Sequence, residues 1–233
     1  MVTASNEATK LTSLVLYGCW RSTCTHRVIL ALRYKNLDFD YKSIDLTNRE
    51  QEKPDFQVIS SESQVPVLLV NKRPLTQSLA IITYIDTLSA TNMHSLFPED
   101  PEQRAHAIEI CERVSSFIQP LTLPGAIRRS LKLSLNYAED KSFDSSAATF
   151  VKSTLIQNLQ LLDKRIAGNG GPFSIGQDLS IADLFVYPQL VGATRLKIEL
   201  SQFSSLSVLA KTMETLSFVK LASPSRLPDA PKD

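Results

Sequence analysis

The segment Ser22-Thr23-Cys24-Thr25-His26-Arg27-Val28-Ile29-Leu30-Ala31-Leu32 comes soon after the apolar run Leu14-Val15-Leu16-Tyr17. The run predicts a strand, and the segment predicts a helix with four side chains on one face, namely Cys24, Val28, Ala31 and Leu32. Ser22 therefore lies where a strand turns into a helix, near an N-cap whose backbone N–H groups have no partner within the helix. Such a junction favours an anion, and a thiolate is an anion. The residues thus predict a corner that binds and ionises a thiol.

The composition limits the class of protein. The chain has 233 residues, 43% hydrophobic and 21% charged, which suits one large or two small packed domains. Its 25 basic and 24 acidic residues give a net charge of +1, so nucleic acid and membrane surfaces are not expected partners. No apolar run reaches the ~18 residues of a membrane span, and residues 1–9 resemble neither a secretory signal nor a transit peptide. A cytoplasmic protein is expected.

The cysteines and histidines bear on the cellular compartment and on metal binding. An odd and sparse set of cysteines argues against a disulfide framework and for a reducing compartment; they are Cys19, Cys24 and Cys111. We expect no metal, because metal-ligand spacing is missing among the three histidines, His26, His94 and His106.

Residues 10–90 alternate between strand-like and helix-like patterns. Strands are expected at 14–17, 39–45, 65–70 and 73–76, helices at 23–34 and 79–85, and a short irregular helix within 47–57. Asn71-Lys72 is typical of a hairpin turn, and Ser78 is typical of a helix cap. The order β-α-β-α-β-β-α implies a small mixed sheet with helices on its faces.

The rest of the chain has a helical pattern. Residues 91–101 have the composition of a linker, and 102–225 are expected to form an all-helical domain. Helices are predicted over 102–121, 143–166 and 203–221, and another begins at Ser180 with a capping box to Asp183. Residues 131–135 alternate as in a strand, but their surroundings favour a helix. Residues 1–9 and 226–233 are expected to be tails.

Three features of the first domain fit one ligand. Ser22 and Gln77-Ser78 each stand at a helix start, where N–H groups attract anions. Gln64-Val65-Pro66 begins a strand with a proline, and a cis bond there would turn the Val65 backbone outward to pair with a peptide. A small peptide with a terminal carboxylate and a central thiol would span all three. Each feature alone is typical of an ordinary helix cap or strand start.

In this order and spacing the residues resemble the zeta class of the cytosolic glutathione transferases. The class motif Ser-Ser-Cys-x-Trp-Arg-Val-Arg-Ile-Ala-Leu corresponds to residues 22–32, with Thr23, His26 and Ile29 as departures. Further similar segments are Gln64-Val65-Pro66, Gln77-Ser78-Leu79-Ala80-Ile81-Ile82, Ile118-Gln119-Pro120-Leu121, Ser180-Ile181-Ala182-Asp183-Leu184 and Ala193-Thr194-Arg195-Leu196-Lys197. The resemblance extends over about residues 10–228.

The resemblance implies a thioredoxin-like domain followed by an all-helical domain, with glutathione as cofactor and a small electrophilic keto acid as substrate. It implies isomerisation of maleylacetoacetate to fumarylacetoacetate in tyrosine catabolism, by addition of the thiolate to the cis double bond, rotation and elimination. It also implies a cytoplasmic homodimer. An alternative within the class is a transferase that conjugates α-haloacids or other electrophiles and has no isomerase role.

The same resemblance implies roles for single residues. Ser22 would stabilise the thiolate, with support from Thr23 and Cys24, although Cys24 can equally be a buried inert thiol. Arg195 would receive a substrate carboxylate, because arginine pairs with it bidentately, but a solvated cation on a helix face fits the sequence equally well. Glutathione would contact six residues: Ser22, Gln51, Val65, Gln77, Ser78 and Gln119.

Two other functions are compatible with the sequence. A glutathione oxidoreductase working through Cys24 is disfavoured, because the chain has no C-x-x-C motif and Cys19 lies five residues away. A non-catalytic interaction module with the same fold would differ by failing to bind glutathione.

Overall fold

The computed structural model describes residues 13–88, 94–122 and 145–232. Within the first of these ranges lie β1 (Leu14–Gly18), α1 (Thr23–Tyr34), β2 (Asp40–Ser43), α2 (Pro54–Gln57), β3 (Val67–Val70), β4 (Arg73–Thr76) and α3 (Ser78–Thr87). Strand β1 is parallel to β2 and antiparallel to β3, and β3 pairs antiparallel with β4. The sheet order is β2-β1-β3-β4, which confirms the predicted mixed sheet of a βαβαββα, thioredoxin-like domain.

The described part of the second domain is helical. Its elements are α4 (Pro101–Glu112), a π-helical turn (Arg113–Ile118), α5 (Gln119–Thr122), α6 (Ser145–Ala167), α7 (Ile181–Arg195), α8 (Ser204–Thr215) and α9 (Ser217–Leu221). Short 3-10 turns lie at Glu50–Glu52, Leu200–Gln202 and Pro224–Arg226. In the parts of the chain that are described, no helix has both the length and the apolar character needed to cross a bilayer.

Local sequence signals explain several boundaries. The hairpin between β3 and β4 turns at Asn71 and Lys72, whose φ angles of 48° and 70° suit a two-residue turn that follows the twist of the strands. Ser180 and Asp183 form the predicted capping box at the start of α7. Helix α1 spans the predicted residues 23–34 because Ser22 caps it.

Three predicted helices differ from the structure. The helix predicted over 203–221 is divided at Leu216, which is extended (φ −74°, ψ 133°) and packs its side chain on the core. The helix predicted over 102–121 widens into the π-helical turn just before Gln119. Ser78 is the first residue of α3 and not its cap, since Gln77 takes the cap position with φ 66°. The helix expected at 131–135 lies outside the described residues.

Helix α1 belongs to the first domain and also packs against the second domain. Every residue from Thr25 to Leu32 is buried, because α1 packs against α3 on one side and α7 on the other. One apolar core therefore runs through both domains. Beyond the helix, buried Lys35 pairs with Asp86 (2.8 Å) and donates to the His94 carbonyl (2.9 Å), which ties the linker before the second domain to the first domain.

The C-terminal segment (residues 222–232), whose prolines suggest a tail, is attached to the first domain. The Asp229 carboxylate accepts hydrogen bonds from the Trp20 N–H (2.9 Å) and the Tyr41 O–H (3.1 Å). Ala230 beside it is buried. The prolines end the last helix, but these contacts fix the chain that follows it.

Gly18, at the end of β1, is closely surrounded by side chains of α1 and β2. A Cβ added at Gly18 would overlap the methyl group of buried Thr25 and lie 3.1 Å from the Tyr41 ring. Since these side chains are packed, we expect Gly18→Ala to lower the free energy of unfolding by about 1–3 kcal/mol. Urea denaturation measures this, with Gly168→Ala as the control because no atom lies within 4 Å of the added methyl there. Equal stability of the two variants would contradict the packing.

Candidate active site

Ser22 occupies the predicted N-cap of α1. Its Oγ accepts a hydrogen bond from the Thr25 N–H (3.1 Å), and its own N–H donates to the Cys19 carbonyl (2.9 Å). A hydroxyl that accepts in this way keeps its proton to donate elsewhere. The side chain is half-buried at the positive end of a 12-residue helix. Ser22 can therefore donate to an anion placed over the helix start.

A buried cation lies one turn further along α1. Arg27 is 1% exposed, and its guanidinium stacks on the Phe185 ring at 4.4 Å. It donates to Gln119 Oε1 (2.7 Å) and Ser78 Oγ (3.3 Å), and no carboxylate is paired with it among the described residues. Burial lowers the pKa of Arg27, which reflects the cost of a charge without a counter-ion. An anion bound nearby would offset that cost.

The donor and the acceptor in each hydrogen bond around Arg27 follow from the chemistry of the guanidinium. Arginine can only donate, so the Gln119 atom that it contacts is the carbonyl oxygen. Thr23 Oγ1 lies 3.0 Å from the same oxygen and must donate its proton to it. Gln189 Nε2 donates to that oxygen (2.7 Å) and to Thr23 Oγ1 (3.3 Å). The Thr23 proton is thus committed to Gln119, whereas the Ser22 proton points elsewhere.

Ser78 lies at the start of α3, the second predicted anion position. It is buried, and its Oγ accepts from Arg27. Its own proton therefore remains available as a donor. Since Arg27 contacts Ser78 from α1, a single buried cation connects the N-terminal ends of two helices, as expected for a ligand with two anionic groups.

The remaining predicted glutathione contacts lie on the first domain outside this hydrogen-bonded cluster. Gln51 is in a 3-10 turn, and its buried Oε1 has no hydrogen-bond partner among the described residues. Val65 precedes β3 and is joined to Pro66 by a cis peptide bond. Gln77 is exposed and donates to Glu62 (2.9 Å). The unpartnered oxygen of Gln51 fits the N–H donor of a peptide ligand.

Arg195, at the end of α7, lies beside the strand-to-helix junction. Its guanidinium is 5.1 Å from the Trp20 ring centroid and donates to the Arg21 carbonyl (3.3 Å), one residue before Ser22. Burial and the neighbouring Arg21 cation lower the pKa of Arg195. Within the described ranges no acidic side chain is paired with Arg195. The geometry thus brings an unpaired guanidinium next to Ser22.

The cysteines are all free thiols. Cys24 is half-buried in the first turn of α1, whereas Cys19 and Cys111 are buried. Burial strongly raises the pKa of Cys111, which makes it inert. Among the residues that the structure describes, no group of three His, Cys, Asp or Glu side chains is arranged to hold a metal ion.

His26 is a buried neutral base. Burial, and then the charge of Arg195, lower the pKa of His26 from 6.5 to about 3. Its ring packs edge-on against Tyr187 with the centroids 5.8 Å apart. A neutral ring at this position avoids adding another cation to Arg195 and its neighbour Arg21.

The sequence analysis missed four residues that organise the site: Trp20, Arg27, Gln189 and Asp229. Two of them carried a signal, since Arg27 is a lone charge within a buried helical run and Gln189 is a lone polar residue within Leu184–Val191. Trp20 and Asp229 act over 209 residues of sequence separation, and no local pattern marks their pairing.

Comparison with known proteins agrees with this geometry. The family model of the glutathione S-transferase N-terminal domain matches residues 12–87, and that of the C-terminal domain matches residues 127–220. A probable maleylacetoacetate isomerase of Caenorhabditis elegans is 33% identical over 92% of this chain and 95% of its own. A zeta-class glutathione S-transferase of Euphorbia esula is 31% identical over 97% of each chain.

The chain belongs to the zeta class of the glutathione S-transferase family. Its two-domain fold is that of the family, as the resemblance implied.

Solved structures of similar proteins carry ligands. A maleylacetoacetate isomerase of Methylobacterium extorquens AM1 with bound malonate and glutathione is 30% identical and has a TM-score of 0.83 over 94% of this glutathione S-transferase and 100% of that chain. An isomerase of Anaeromyxobacter dehalogenans with bound dicarboxyethyl glutathione and citrate is 29% identical, with a TM-score of 0.79 over 94% of each chain.

The low pKa of His26 predicts a pH dependence of stability. The unfolded chain takes up a proton near pH 6.5, whereas the native ring stays neutral until about pH 3, so stability is complete above pH 6.5 and falls below it. Between pH 7.5 and pH 5 this loss is about 2 kcal/mol. We expect His26→Phe, which keeps a flat ring, to remove that part of the acid sensitivity in urea denaturation.

The control for this experiment is His94→Gln, because His94 is exposed. It should keep the parent's dependence on pH. A His26→Phe variant that loses as much stability on acidification as the parent would contradict a neutral His26.

Proposed function

We propose that this glutathione S-transferase is a glutathione-dependent cis–trans isomerase that converts maleylacetoacetate into fumarylacetoacetate. The observation that carries the proposal is the guanidinium of Arg195 bonded to the residue before Ser22 (3.3 Å). The proposed thiolate site would thus adjoin a guanidinium suited to a carboxylate, as a keto acid attacked by a thiolate needs. The names of the Caenorhabditis elegans and Methylobacterium extorquens relatives support the same reaction.

The residues fit glutathione as the cofactor. Ser78 has a proton to donate to the α-carboxylate at one end of the tripeptide, with Arg27 behind it. The unpartnered Oε1 of Gln51 suits an N–H group, and Val65 and Gln77 would contact the peptide. Gln119 would act through Thr23, which it fixes.

Bound glutathione would supply a thiolate that adds to the cis double bond and leaves after rotation, so it is not consumed. The protein must favour that thiolate. A free thiol has a pKa of about 8.5, and lowering it by two units requires about 2.7 kcal/mol. The Ser22 hydroxyl would donate to the sulfur, and the N-terminal end of α1 and the buried Arg27 charge would add to the stabilisation.

Arg195 would orient the keto acid. Its guanidinium can form two parallel hydrogen bonds with a carboxylate, which fixes direction as well as position. The bound malonate and citrate of the two bacterial relatives are carboxylates that such a residue suits. The Trp20 ring beneath the guanidinium limits its movement.

We also propose that the protein is a cytoplasmic homodimer that acts in tyrosine catabolism. Three free cysteines suit a reducing compartment. Exposed apolar side chains on α4, the π-helical turn and α5, namely Ile108, Phe117 and Leu121, support burial against a second copy. Light scattering on the purified chain tests the dimer, and a monomeric mass would contradict it.

Turnover of maleylacetone with glutathione tests the proposed reaction. We expect its isomerisation with no net loss of glutathione. Conjugation of chlorinated acids without isomerisation would instead establish the transferase function, and no binding of glutathione by calorimetry would exclude both.

The role of Ser22 gives a prediction for the bound thiol. Ser22→Ala removes one charge-assisted hydrogen bond, so the pKa of bound glutathione should rise by about 1–2 units and neutral turnover should fall roughly 10- to 100-fold. Ultraviolet absorbance of the thiolate against pH measures the shift. Cys24→Ala, in the same turn, should leave this pKa within about half a unit. An active Ser22→Ala beside an inactive Cys24→Ala would mean that the nucleophile is Cys24.

The role of Arg195 predicts a change in one Michaelis constant only. Arg195→Gln should raise the KM for maleylacetone roughly 10- to 100-fold and leave the KM for glutathione within about twofold. Arg195→Lys keeps the charge but loses the paired donors, so its KM for maleylacetone should lie between those of the parent and of Arg195→Gln. The control is Lys197→Gln, an equal loss of charge at an exposed neighbour. Equal changes in both constants would contradict carboxylate binding by Arg195.

A further inference from the structure

The C-terminal segment reaches the candidate active site through one side chain. Asp229 Oδ2 accepts from the backbone N–H of Trp20 (2.9 Å), and Oδ1 accepts from the hydroxyl of Tyr41 (3.1 Å). Trp20 lies in the turn between β1 and α1, and Tyr41 lies in β2. One carboxylate therefore joins the end of the chain to the turn that leads into Ser22.

The segment is fixed on both sides of Asp229. Ala222 and Pro224 are buried before it, and Ala230 is buried directly after it. Burial and the adjacent Asp229 charge raise the pKa of Tyr41, so its hydroxyl stays protonated and remains a donor. The carboxylate is thus attached to a part of the chain that cannot shift freely, and both of its oxygens are used.

The turn that Asp229 holds through the Trp20 N–H also contains the Trp20 ring, which lies next to the Arg195 guanidinium. The Trp20 centroid lies 5.1 Å from the Arg195 guanidinium carbon and 5.8 Å from that of Arg21. Arg195 also donates to the Arg21 carbonyl in the same turn. The position of the guanidinium therefore depends on where residues 20 and 21 are held.

We propose that Asp229 is a positioning residue, which fixes the Trp20 turn so that Arg195 is held where a substrate carboxylate binds. This inference rests on the proposed role of Arg195. It assigns to the C-terminal segment a part in carboxylate recognition, while the glutathione contacts at Gln51, Val65 and Ser78 lie on other elements.

The chain carries its own probe for this arrangement. Trp20 is its single tryptophan, so tryptophan emission, excited selectively over the tyrosines, reports on this turn. We expect Asp229→Ala to shift the emission maximum of the ligand-free protein. Asp229→Asn, which keeps one accepting oxygen, and Tyr41→Phe, which removes only the second bond, should shift it less. Asp178→Asn, an exposed site in the second domain, is the matched control and should match the parent.

Affinity for malonate, measured through Trp20 emission with glutathione present, tests the positioning itself. Asp229→Ala should weaken malonate binding roughly tenfold and leave glutathione affinity within about twofold. This measurement needs no turnover. A parent that binds malonate but does not isomerise maleylacetone would therefore contradict the proposed reaction and leave the positioning role intact.

Three results would overturn the positioning role. The first is unchanged malonate affinity in Asp229→Ala, whatever happens to the emission. The second is an equal loss of affinity for malonate and glutathione together with a lower unfolding temperature, which would mark general structural support. The third is a parent protein whose Trp20 emission and calorimetry both show no malonate binding.

Discussion

The site depends on a buried guanidinium that pairs with no carboxylate in the part of the chain that the structure describes. Among the described residues, the Arg27 guanidinium is contacted by groups from three other elements, the Ser78 hydroxyl, the Gln119 carbonyl and the Phe185 ring. Two of these belong to the second domain. An unpaired buried charge is costly, so this cation is stable only when the two domains are packed together. The same packing leaves its positive field unneutralised beside two helix N-terminal ends, where an anionic ligand is most favoured.

The buried Arg27 guanidinium also determines which hydroxyl groups of the site donate hydrogen bonds and which accept them. Because arginine cannot accept a hydrogen bond, Gln119 must present its oxygen, and Thr23 must give its proton to Gln119. Ser78 accepts from Arg27 and Ser22 accepts from Thr25, so each keeps a proton for the ligand. Adjacent hydroxyls at 22 and 23 thus acquire different chemistry from their partners. The Thr23 proton is committed to Gln119 and the Ser22 proton is left for a ligand, which suits the different roles that the resemblance implies for the two residues.

The sequence predicted what local signals encode. The cap at Ser22, the turn at Asn71-Lys72 and the box from Ser180 to Asp183 each arise from residues within four positions of one another. The π-helical turn before Gln119 and the break at Leu216 were not predictable, because helical periodicity continues through both. The attachment of Asp229 to Trp20 was missed for a different reason: its partners are far apart in sequence, and prolines nearby resemble those of a free tail.

The two halves of the proposed site, one for the thiol and one for the carboxylate, therefore depend on the sequence in different ways. The thiol side is formed by one short segment of α1 and by Ser78, so a motif can identify it. The carboxylate side is assembled from Arg195 and Trp20, which belong to different domains and meet across the interface. A substitution of Arg195 itself removes none of the contacts that hold the Ser22 side chain, because the Ser22 hydroxyl accepts from the Thr25 N–H within α1. A family can thus keep one cofactor while its members differ in the acid they accept, and the substrate is decided by contacts that no short motif records.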